Sequence, residues 1–359
     1  MAETKTKRGG KASPNGRAPD KISKDELHEM LYKMLLGRRF EEKCAEAYAL
    51  GKIGGFLHLY IGQEAVTIGA YSALRPDDYV VTAYRDHVQA LAKGVSARSI
   101  MAELYGRIDG CSKGKGGSMH MFGKDVNFLG GWGIVGGQIP LGTGFGWAIK
   151  YRGEDRVAVC FMGEAAVNQG AFHESLNMAA LWKLPVIYIV ENNRFGMGTA
   201  WERAASLYDI SQKAAAYDMP SAVADGMDVL DMRRVTMEAV ERARKDRIPT
   251  LIEARTERFV GHSMSDPVHG VYRTKEQVEE AKQRDPIRVL IDYLKENDQL
   301  TDDELRAMDK RVQEVVDDAA EFAEKSPEPP IEELYTDVYA EENPHGRLFI
   351  DNKNRLEQP

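Results

Sequence analysis

Residues 163–193 read GEAAVNQGAFHESLNMAALWKLPVIYIVENN, and the apolar run VIYIVE within them ends at Glu191. A similar run, RVAVCFM, ends at Met162 immediately before this stretch. Short continuous apolar runs are typical of parallel strands that are covered on both faces. Between the two runs, apolar residues recur at helical spacing until Pro185. The stretch therefore predicts a right-handed βαβ unit within an α/β fold, a doubly wound, mainly parallel sheet with helices on both faces.

Two polar side chains stand where the predicted strands end. Glu164 follows the first strand and Asn193 follows the second. In open parallel sheets, ligands bind beyond the carboxyl ends of the strands. Mg²⁺ prefers about six oxygen ligands and shares them between a few protein oxygens and substrate phosphates. The spacing alone fits either a metal-diphosphate site or two turns that merely end strands.

The stretch resembles the thiamine diphosphate motif, in which Gly-Asp-Gly is followed about thirty residues later by Asn-Asn. From about Asp25 to Tyr339 the chain is similar to the alpha subunits of the heterotetrameric 2-oxoacid dehydrogenases, the pyruvate dehydrogenase type above all. The resemblance implies the thiamine diphosphate-binding fold with a C-terminal helical extension. The matching segments occur in one order along the chain: RRFEEKCAEAY, GGFLHLYIGQEA, TAYRDH, KGGSMHMF, GIVGGQIPLGTG, NMAALWKLP, ENNRFGMGT, GHSMSDP and YRTKEQVEE.

The motif departs from the family pattern at its acidic residue. Where the family has Gly-Asp-Gly, this chain has Gly-Glu-Ala, with Glu164 and Ala165 as the altered residues. Glutamate reaches about 1.5 Å further than aspartate, and Mg²⁺ tolerates little positional error. Alanine also disfavours a positive φ or a close approach to a phosphate. The resemblance nonetheless implies that Glu164, Ala165 and Ala166 contact the cofactor, and that Glu164, Asn193 and Phe195 hold Mg²⁺.

The resemblance assigns further residues to the cofactor and the reaction. It implies that Tyr84 and Arg85, in TAYRDH, hold the diphosphate, which a guanidinium can grip bidentately. It also implies that His58 is an active-site histidine near the reacting carbon. The residues alone leave alternatives open, because a single histidine between apolar neighbours is usually structural. Arg85 could likewise pair with Asp86 at the surface.

A glycine-rich stretch, GWGIVGGQIPLGTGFG at 131–146, predicts close approach of backbones. From about residue 139, these glycines are expected to pack one helix tightly against another subunit. The resemblance implies that Gly133 and Val135 contact the aminopyrimidine ring of the cofactor. The apolar residues between the glycines predict burial of the stretch: Ile134, Val135, Ile139 and Leu141.

The segment ERFVGHSMSDPVHGVYRT, at 257–274, is a long polar connection of the kind that closes over active sites. The resemblance implies that Arg258 and His262 face the diphosphate, that His262 and Ser263 act in catalysis, and that this loop governs access by the lipoyl arm. Ser263 matches a serine that is phosphorylated in mitochondrial relatives. Val271 stands where a second such serine occurs, so regulation by phosphate is not inferred.

Composition limits the class of protein. The formal net charge of −8 and the pI near 5.6 argue against a general nucleic-acid binder. No apolar run is long enough to span a bilayer, so we expect no membrane partner. Cys44, Cys111 and Cys160 are unevenly spaced and form no CxxC pair, which favours a reducing compartment. The N-terminal stretch lacks the pattern of a transit peptide, so we expect bacterial cytoplasm rather than the mitochondrial matrix.

We predict four regions along the chain. A basic, disordered tail covers 1–22, and it either is solvated or docks on an acidic partner surface. The α/β domain that binds thiamine diphosphate covers 23–275. Amphipathic helices at 276–325, the first interrupted by Pro286, pack on that domain. An extended C-terminal arm covers 326–359.

The chemistry that the resemblance implies is the decarboxylation of pyruvate with thiamine diphosphate and Mg²⁺. The acetyl group then passes to a lipoyl group of the dihydrolipoyl acetyltransferase. In this family the glutamate that activates the aminopyrimidine belongs to a beta subunit, so the expected assembly is an α2β2 heterotetramer and the chain alone should be inactive. Two alternatives remain at this stage: an acetoin or branched-chain 2-oxoacid dehydrogenase alpha subunit, and a non-catalytic partner subunit whose metal site is impaired.

Overall fold

The computed structural model of the chain describes residues 22–337. Its centre is a six-stranded sheet in which all neighbouring strands run parallel. The strands are β1 (Tyr79–Ala83), β2 (Phe128–Trp132), β3 (Ala158–Gly163), β4 (Val186–Asn192), β5 (Phe195–Gly196), β6 (Thr199–Ala200), β7 (Ser221–Asp225) and β8 (Thr250–Arg255). The order across the sheet is β2-β1-β3-β4-β8-β7, while β5 and β6 form a separate antiparallel hairpin.

Helices cover both faces of the sheet, as the sequence predicts for a doubly wound fold. They are α1 (Lys24–Ala49), α2 (Glu64–Tyr71), α3 (His87–Lys93), α4 (Ala97–Leu104), α5 (Gln138–Arg152), α6 (Gly170–Leu181), α7 (Trp201–Ala204), α8 (Val229–Asp246), α9 (Lys275–Lys282), α10 (Pro286–Glu296) and α11 (Asp302–Lys325). Pro286 is the first residue of α10, with Asp285 as its N-cap, so the predicted interruption is confirmed. The predicted fold class is confirmed as well.

The βαβ unit predicted from 163–193 consists of β3, α6 and β4. The two strands pair in register from Ala158 with Val186 to Gly163 with Glu191. Because successive side chains of a strand point to opposite faces, every residue of a doubly covered strand must be apolar. Phe161 accordingly joins the core cluster on one face of the sheet, and Cys160 joins the cluster on the other.

The C-terminal helices belong to the same core as the N-terminal helix. Val312 and Val316 of α11 are buried in one cluster with Leu31 of α1. Reciprocal side-chain and backbone bonds cap the start of both helices, through Ser23 in α1 and Thr301 in α11. None of the helices between residues 22 and 337 combines the length and hydropathy that crossing a bilayer requires.

The structure of the glycine-rich stretch corrects the burial that the sequence predicts for part of it. Ile139 is buried, but Ile134 is 78% exposed, Val135 is 41% exposed and Leu141 is half-buried, so the predicted burial of these three residues is wrong for the single chain. Two of the glycines, at positions 142 and 146, face the chain's own sheet. A Cβ at position 142 would lie 2.7 Å from Cys160 Cβ, and one at position 146 would lie 2.1 Å from Val186 Cγ2. These two glycines therefore let α5 lie close to β3 and β4, and packing of this helix against another subunit stays a prediction.

The ends of the chain are described only in part. The predicted basic tail lies outside the described residues except for Ile22. Within the predicted C-terminal arm, Ile331–Tyr335 form a short 3-10 helix. The next residues are tied to the body of the protein, since Lys115 Nζ donates to the Thr336 hydroxyl at 2.7 Å. The division into four regions stays a prediction.

Candidate active site

Glu164 lies directly beyond the carboxyl end of β3, at the start of a 3-10 helix (Glu164–Asn168). Its side chain is only 2% exposed, and its Oε1 atom has no hydrogen-bond partner among the described residues. Burial raises the pKa of this carboxyl group. A buried carboxylate oxygen without a donor is unfavourable unless a cation or a proton compensates it. The environment of Glu164 therefore fits a metal ligand.

Asn193 follows β4 at the same edge of the sheet. Its Nδ2 donates to Gln63 Oε1 at 2.9 Å, and its Oδ1 accepts the backbone N–H of Phe195 at 3.3 Å. An amide oxygen has two lone pairs, so Oδ1 keeps one for a further partner. Gln63 thus fixes which way the amide of Asn193 points.

The altered residue beside Glu164 is accommodated by a glycine on the opposite segment. Ala165 is not among the residues with positive φ, so the expected difficulty with its backbone does not arise. Its methyl group lies over Gly196, where a Cβ would be 2.7 Å from Ala165 Cβ. Ala165 is exposed and Ala166 is buried within the same 3-10 helix. The absence of a side chain at Gly196 makes room for the methyl group at Ala165.

Two buried guanidinium groups lie near this carboxylate. Arg258 is 1% exposed, and its Nε atom has no partner among the described residues. Burial and the neighbouring Arg85 lower the pKa of Arg258 to about 10. Arg85 donates to the carbonyl oxygens of Leu59 at 2.6 Å and His262 at 2.9 Å. Its bonds to these carbonyls show that the surface pairing with Asp86, left open by the sequence, is wrong.

Three aromatic rings gather beside these arginines. The ring centroid of His58 is 4.6 Å from that of Tyr84 and 5.1 Å from that of His262. Burial and Arg85 lower the pKa of His58 to about 2, and burial with Arg85 and Arg258 lowers the pKa of His262 to about 4. Arg258 donates to His262 Nδ1 at 3.1 Å, which places the proton of this ring on Nε2. Both histidines are therefore neutral at pH 7.

The loop that carries His262 is held by side chains on either side of it. Asp266 Oδ2 accepts the His262 N–H at 2.7 Å and the Tyr272 hydroxyl at 2.5 Å. Arg273 donates to the carbonyl oxygens of Arg258 at 2.5 Å and Val260 at 2.6 Å.

Ser263 lies in the same loop, nearly buried. Its hydroxyl contacts the Ser265 hydroxyl at 2.9 Å. The loop is tied to the segment that carries His58, because the Met264 N–H donates to the Leu57 carbonyl at 2.9 Å. The contacts described for Ser263 fit a role in shaping the loop.

Gly133 and Val135 lie on the connection from β2 to α5. A Cβ at Gly133 would lie 3.1 Å from the His120 ring, so only glycine fits there without displacing that ring. At Gly136 a Cβ would lie 3.1 Å from Gln169 Cγ, directly after the 3-10 helix of Glu164. The connection therefore packs beside the C-terminal end of that 3-10 helix.

Comparison with known proteins shows which family the chain belongs to. The model of the family described as Dehydrogenase E1 component matches residues 32–332. The chain is 51% identical over 318 residues to the pyruvate dehydrogenase E1 component subunit alpha of Rhizobium meliloti (strain 1021), covering 88% of this chain and 91% of the relative. The chain belongs to the dehydrogenase E1 component family. The family is thiamine diphosphate dependent.

Other members of the dehydrogenase E1 component family are similar over comparable lengths. The subunit alpha of Rickettsia bellii (strain RML369-C) is 46% identical over 316 residues, covering 88% of this chain and 96% of the relative. The chloroplastic subunit alpha-3 of Oryza sativa subsp. japonica is 44% identical over 360 residues, covering 98% of this chain and 84% of the relative. Both carry the name pyruvate dehydrogenase E1 component.

Sequence reasoning overlooks several residues that shape the site of this dehydrogenase E1 component. Gln63 is 130 positions from Asn193, and Arg273 is 15 positions from the Arg258 carbonyl that it holds. Both residues stand within segments that carry the family resemblance, Gln63 in GGFLHLYIGQEA and Arg273 in YRTKEQVEE. Their roles depend on contacts that no local pattern predicts.

Proposed function

We propose that this chain is the alpha subunit of a pyruvate dehydrogenase E1 component. With thiamine diphosphate and Mg²⁺ it decarboxylates pyruvate and passes the acetyl group to lipoyl groups of a dihydrolipoyl acetyltransferase. One observation carries the proposal: a buried carboxylate oxygen of Glu164 without a donor lies near the two buried guanidinium groups of Arg85 and Arg258. The first feature suits a cation and the second suits a diphosphate.

Different residues would bind the metal ion, the diphosphate and the aminopyrimidine. Glu164, the Oδ1 atom of Asn193 and the carbonyl of Phe195 would hold Mg²⁺. Tyr84, Arg85 and Arg258 would hold the diphosphate, and the connection with Gly133 and Val135 would contact the aminopyrimidine. Ala165 and Ala166 would line the turn beside the metal. When bound, thiamine diphosphate supplies the electron sink for the electrons released by decarboxylation.

The two histidines act as neutral hydrogen-bonding groups. A cationic group beside the substrate carboxylate would stabilise the ground state and oppose the loss of carbon dioxide. The low pKa values of His58 and His262 avoid this, since neither ring is charged at pH 7. His262 keeps a proton on Nε2, which can donate to a substrate oxygen. Ser263 would support this role by shaping the loop.

Assembly with a beta subunit is supported by an exposed apolar patch on α5 and α6. The patch comprises Trp147, Tyr151, Leu181 and Trp182, all exposed in the single chain. The Trp147 and Tyr151 rings stack with centroids 5.2 Å apart. Lys150 Nζ donates to the Trp182 carbonyl at 2.5 Å, which joins the ends of the two helices. Exposed apolar patches of this kind mark protein interfaces, and we propose an α2β2 heterotetramer.

The proposal is tested by reduction of an artificial electron acceptor. The chain is co-purified with its beta subunit and assayed on pyruvate, branched 2-oxoacids and acetoin, with and without Mg²⁺ and thiamine diphosphate. The expected result is cofactor-dependent activity that is highest on pyruvate. Preference for acetoin or branched 2-oxoacids would replace the substrate assignment. A correctly assembled heterotetramer that is silent on every substrate would overturn the proposal and favour a non-catalytic subunit.

A further inference from the structure

The segment that carries His58 has no regular secondary structure of its own. Residues 56–60 belong to neither a helix nor a strand. Buried side chains from other elements hold its main chain instead. Ser118 Oγ accepts the His58 N–H at 3.4 Å, and Glu41 Oε1 of α1 accepts the Tyr60 N–H at 2.8 Å. Two backbone donors on this short segment therefore depend on side-chain acceptors.

His87 links these two acceptors to each other. Its Nδ1 lies 2.8 Å from Glu41 Oε2, and its Nε2 lies 2.9 Å from Ser118 Oγ. All three side chains are buried. Burial alone would lower the pKa of His87, but the Glu41 carboxylate, with smaller contributions from Asp86 and Ser118, raises it overall. One continuous chain of hydrogen bonds thus runs from Glu41 through His87 and Ser118 to the backbone of His58.

A metal site in the same place is disfavoured by the partners already present. Ligand atoms of Glu41, Cys44 and His87 lie within 4.8 Å of one another. Both carboxylate oxygens of Glu41 and both ring nitrogens of His87, however, already have hydrogen-bond partners. Burial raises the pKa of the Cys44 thiol well above its usual range, so a thiolate ligand is not available. The hydrogen bonds of Glu41 and His87 therefore support the protein's own backbone.

We propose that Glu41, His87 and Ser118 are positioning residues that hold the backbone of His58, so that its imidazole stays against Tyr84 and His262. None of the three touches the candidate cofactor residues directly in the bonds described here; they act through His58. The inference rests on the proposed function, because it assumes that His58 serves the decarboxylation. A shift of about 1 Å in such a group can lower a rate about 100-fold.

The test uses the heterotetramer with its beta subunit and compares matched variants. His87→Leu removes both bonds and keeps an apolar side chain, while His87→Gln keeps an amide that can bond to both neighbours. Ser118→Ala removes the last link with the smallest change in volume. We expect His87→Leu and Ser118→Ala to lower kcat on pyruvate about 10- to 100-fold, with little change in KM or in thiamine diphosphate affinity. His87→Gln should recover much of this loss.

Two controls replace the same residue types at positions that have no bond to this cluster. His28→Leu removes a histidine that bonds to the Gln299 carbonyl at 2.7 Å, and Ser72→Ala removes a hydroxyl that bonds to the Gly69 carbonyl at 2.7 Å. Neither side chain has a described bond to the His58 segment. Both controls should retain wild-type kcat.

The pH profile separates positioning from general destabilisation. His58 faces Arg85, His262, His87 and Arg258, and together with burial these hold its pKa near 2. If the segment loosens and His58 meets water, its pKa should rise towards the ordinary value of about 6.5. Ser118→Ala should then show a new loss of kcat as the pH falls below about 6.5, because protonated His58 carries a charge. A merely unstable protein would lose activity equally at all pH values.

The outcomes of these experiments distinguish the positioning role of the three residues from the proposed function of the chain. Wild-type activity on pyruvate, together with Ser118→Ala and His87→Leu variants that match wild type in kcat and pH profile, would overturn the positioning role alone. If His87→Leu fails to assemble, Ser118→Ala decides the question. A wild-type heterotetramer that is inactive on every 2-oxoacid would overturn the proposed function and this inference with it.

Discussion

Burial of Glu164 disfavours the charged carboxylate that the proposed metal binding would require. Burial raises the pKa of its carboxyl group, so folding without a cation favours the protonated form. The stability that this group contributes is fully present below its unfolded pKa of about 4.3 and is lost as the pH rises through its folded pKa. A metal-free protein therefore carries an unfavourable charge at neutral pH, which a bound cation would offset.

Glu164→Gln keeps the size of the side chain and removes this charge. We expect the variant to raise the melting temperature of the metal-free heterotetramer at pH 8, and to lose the further rise that Mg²⁺ with thiamine diphosphate gives the wild type. Scanning calorimetry with and without both ligands measures these effects. Glu202→Gln, at an exposed position, should change neither. Full stabilisation of Glu164→Gln by Mg²⁺ would exclude Glu164 as a ligand.

Ala165 and Gly196 lie so close together that only one of the two positions has room for a methyl group. A Cβ at position 196 would lie 2.7 Å from Ala165 Cβ. Gly196→Ala should therefore destabilise the protein by about 1–3 kcal/mol through overpacking. Adding Ala165→Gly should restore most of that loss, because the opposing methyl group is gone. Thermal melting of the single and double variants measures the coupling; strictly additive effects would mean that the two positions do not compete for space.

The sequence predicts those helices and strands that a local hydrophobic pattern specifies. The buried run from β3 and the helical spacing in α6 are local patterns, and both elements form as predicted. The burial expected for Ile134 and Val135 is not met in the single chain, where both residues are exposed on the connection between β2 and α5. Within α5, the glycines at 142 and 146 face the sheet, and the apolar residues around them do not predict this.

The candidate site likewise combines residues that the motifs predict with contacts that the motifs do not predict. Motif resemblance predicts roles for His58, Arg85 and Glu164, since these residues stand within contiguous segments. It does not find the bond from Gln63 to Asn193, or that from Glu41 to His87, because each joins residues that are far apart in the chain. Such contacts follow from the order of strands and helices, which only the folded structure provides.

One buried arginine holds the two ends of the loop that carries His262. Arg273 is buried and donates to the carbonyl oxygens of Arg258 and Val260, so it closes the base of the loop. Arg273→Met keeps the length of the side chain without its donors, and should leave buried acceptors unpaired. We expect faster chymotryptic cleavage within 258–272 and at least tenfold weaker binding of thiamine diphosphate. Arg288→Met, at an exposed position of α10, should change neither. Wild-type cleavage and affinity in Arg273→Met would contradict this role.

We propose that the exposed apolar patch on α5 and α6 is the surface at which the heterotetramer assembles. Burying Trp147 and Leu181 against a partner removes apolar surface from water, which contributes about 25 cal/mol per Å². A charge placed there would have to be desolvated without a partner. The patch therefore offers a site at which assembly can be broken while the fold of the chain is kept.

Trp147→Glu with Leu181→Glu should dissociate the heterotetramer, because two unpaired carboxylates oppose burial of the patch. Sedimentation of the co-expressed subunits should show smaller species, and circular dichroism of the released alpha chain should keep the wild-type helix content, since both side chains are exposed in the single chain. The matched control is Leu334→Glu with Tyr335→Glu, at exposed apolar positions near the C-terminal end of the described residues. This control should sediment as the wild type does. A patch variant that still forms an active heterotetramer would place the beta subunit on another surface, and the catalytic role of the chain would then be independent of this face.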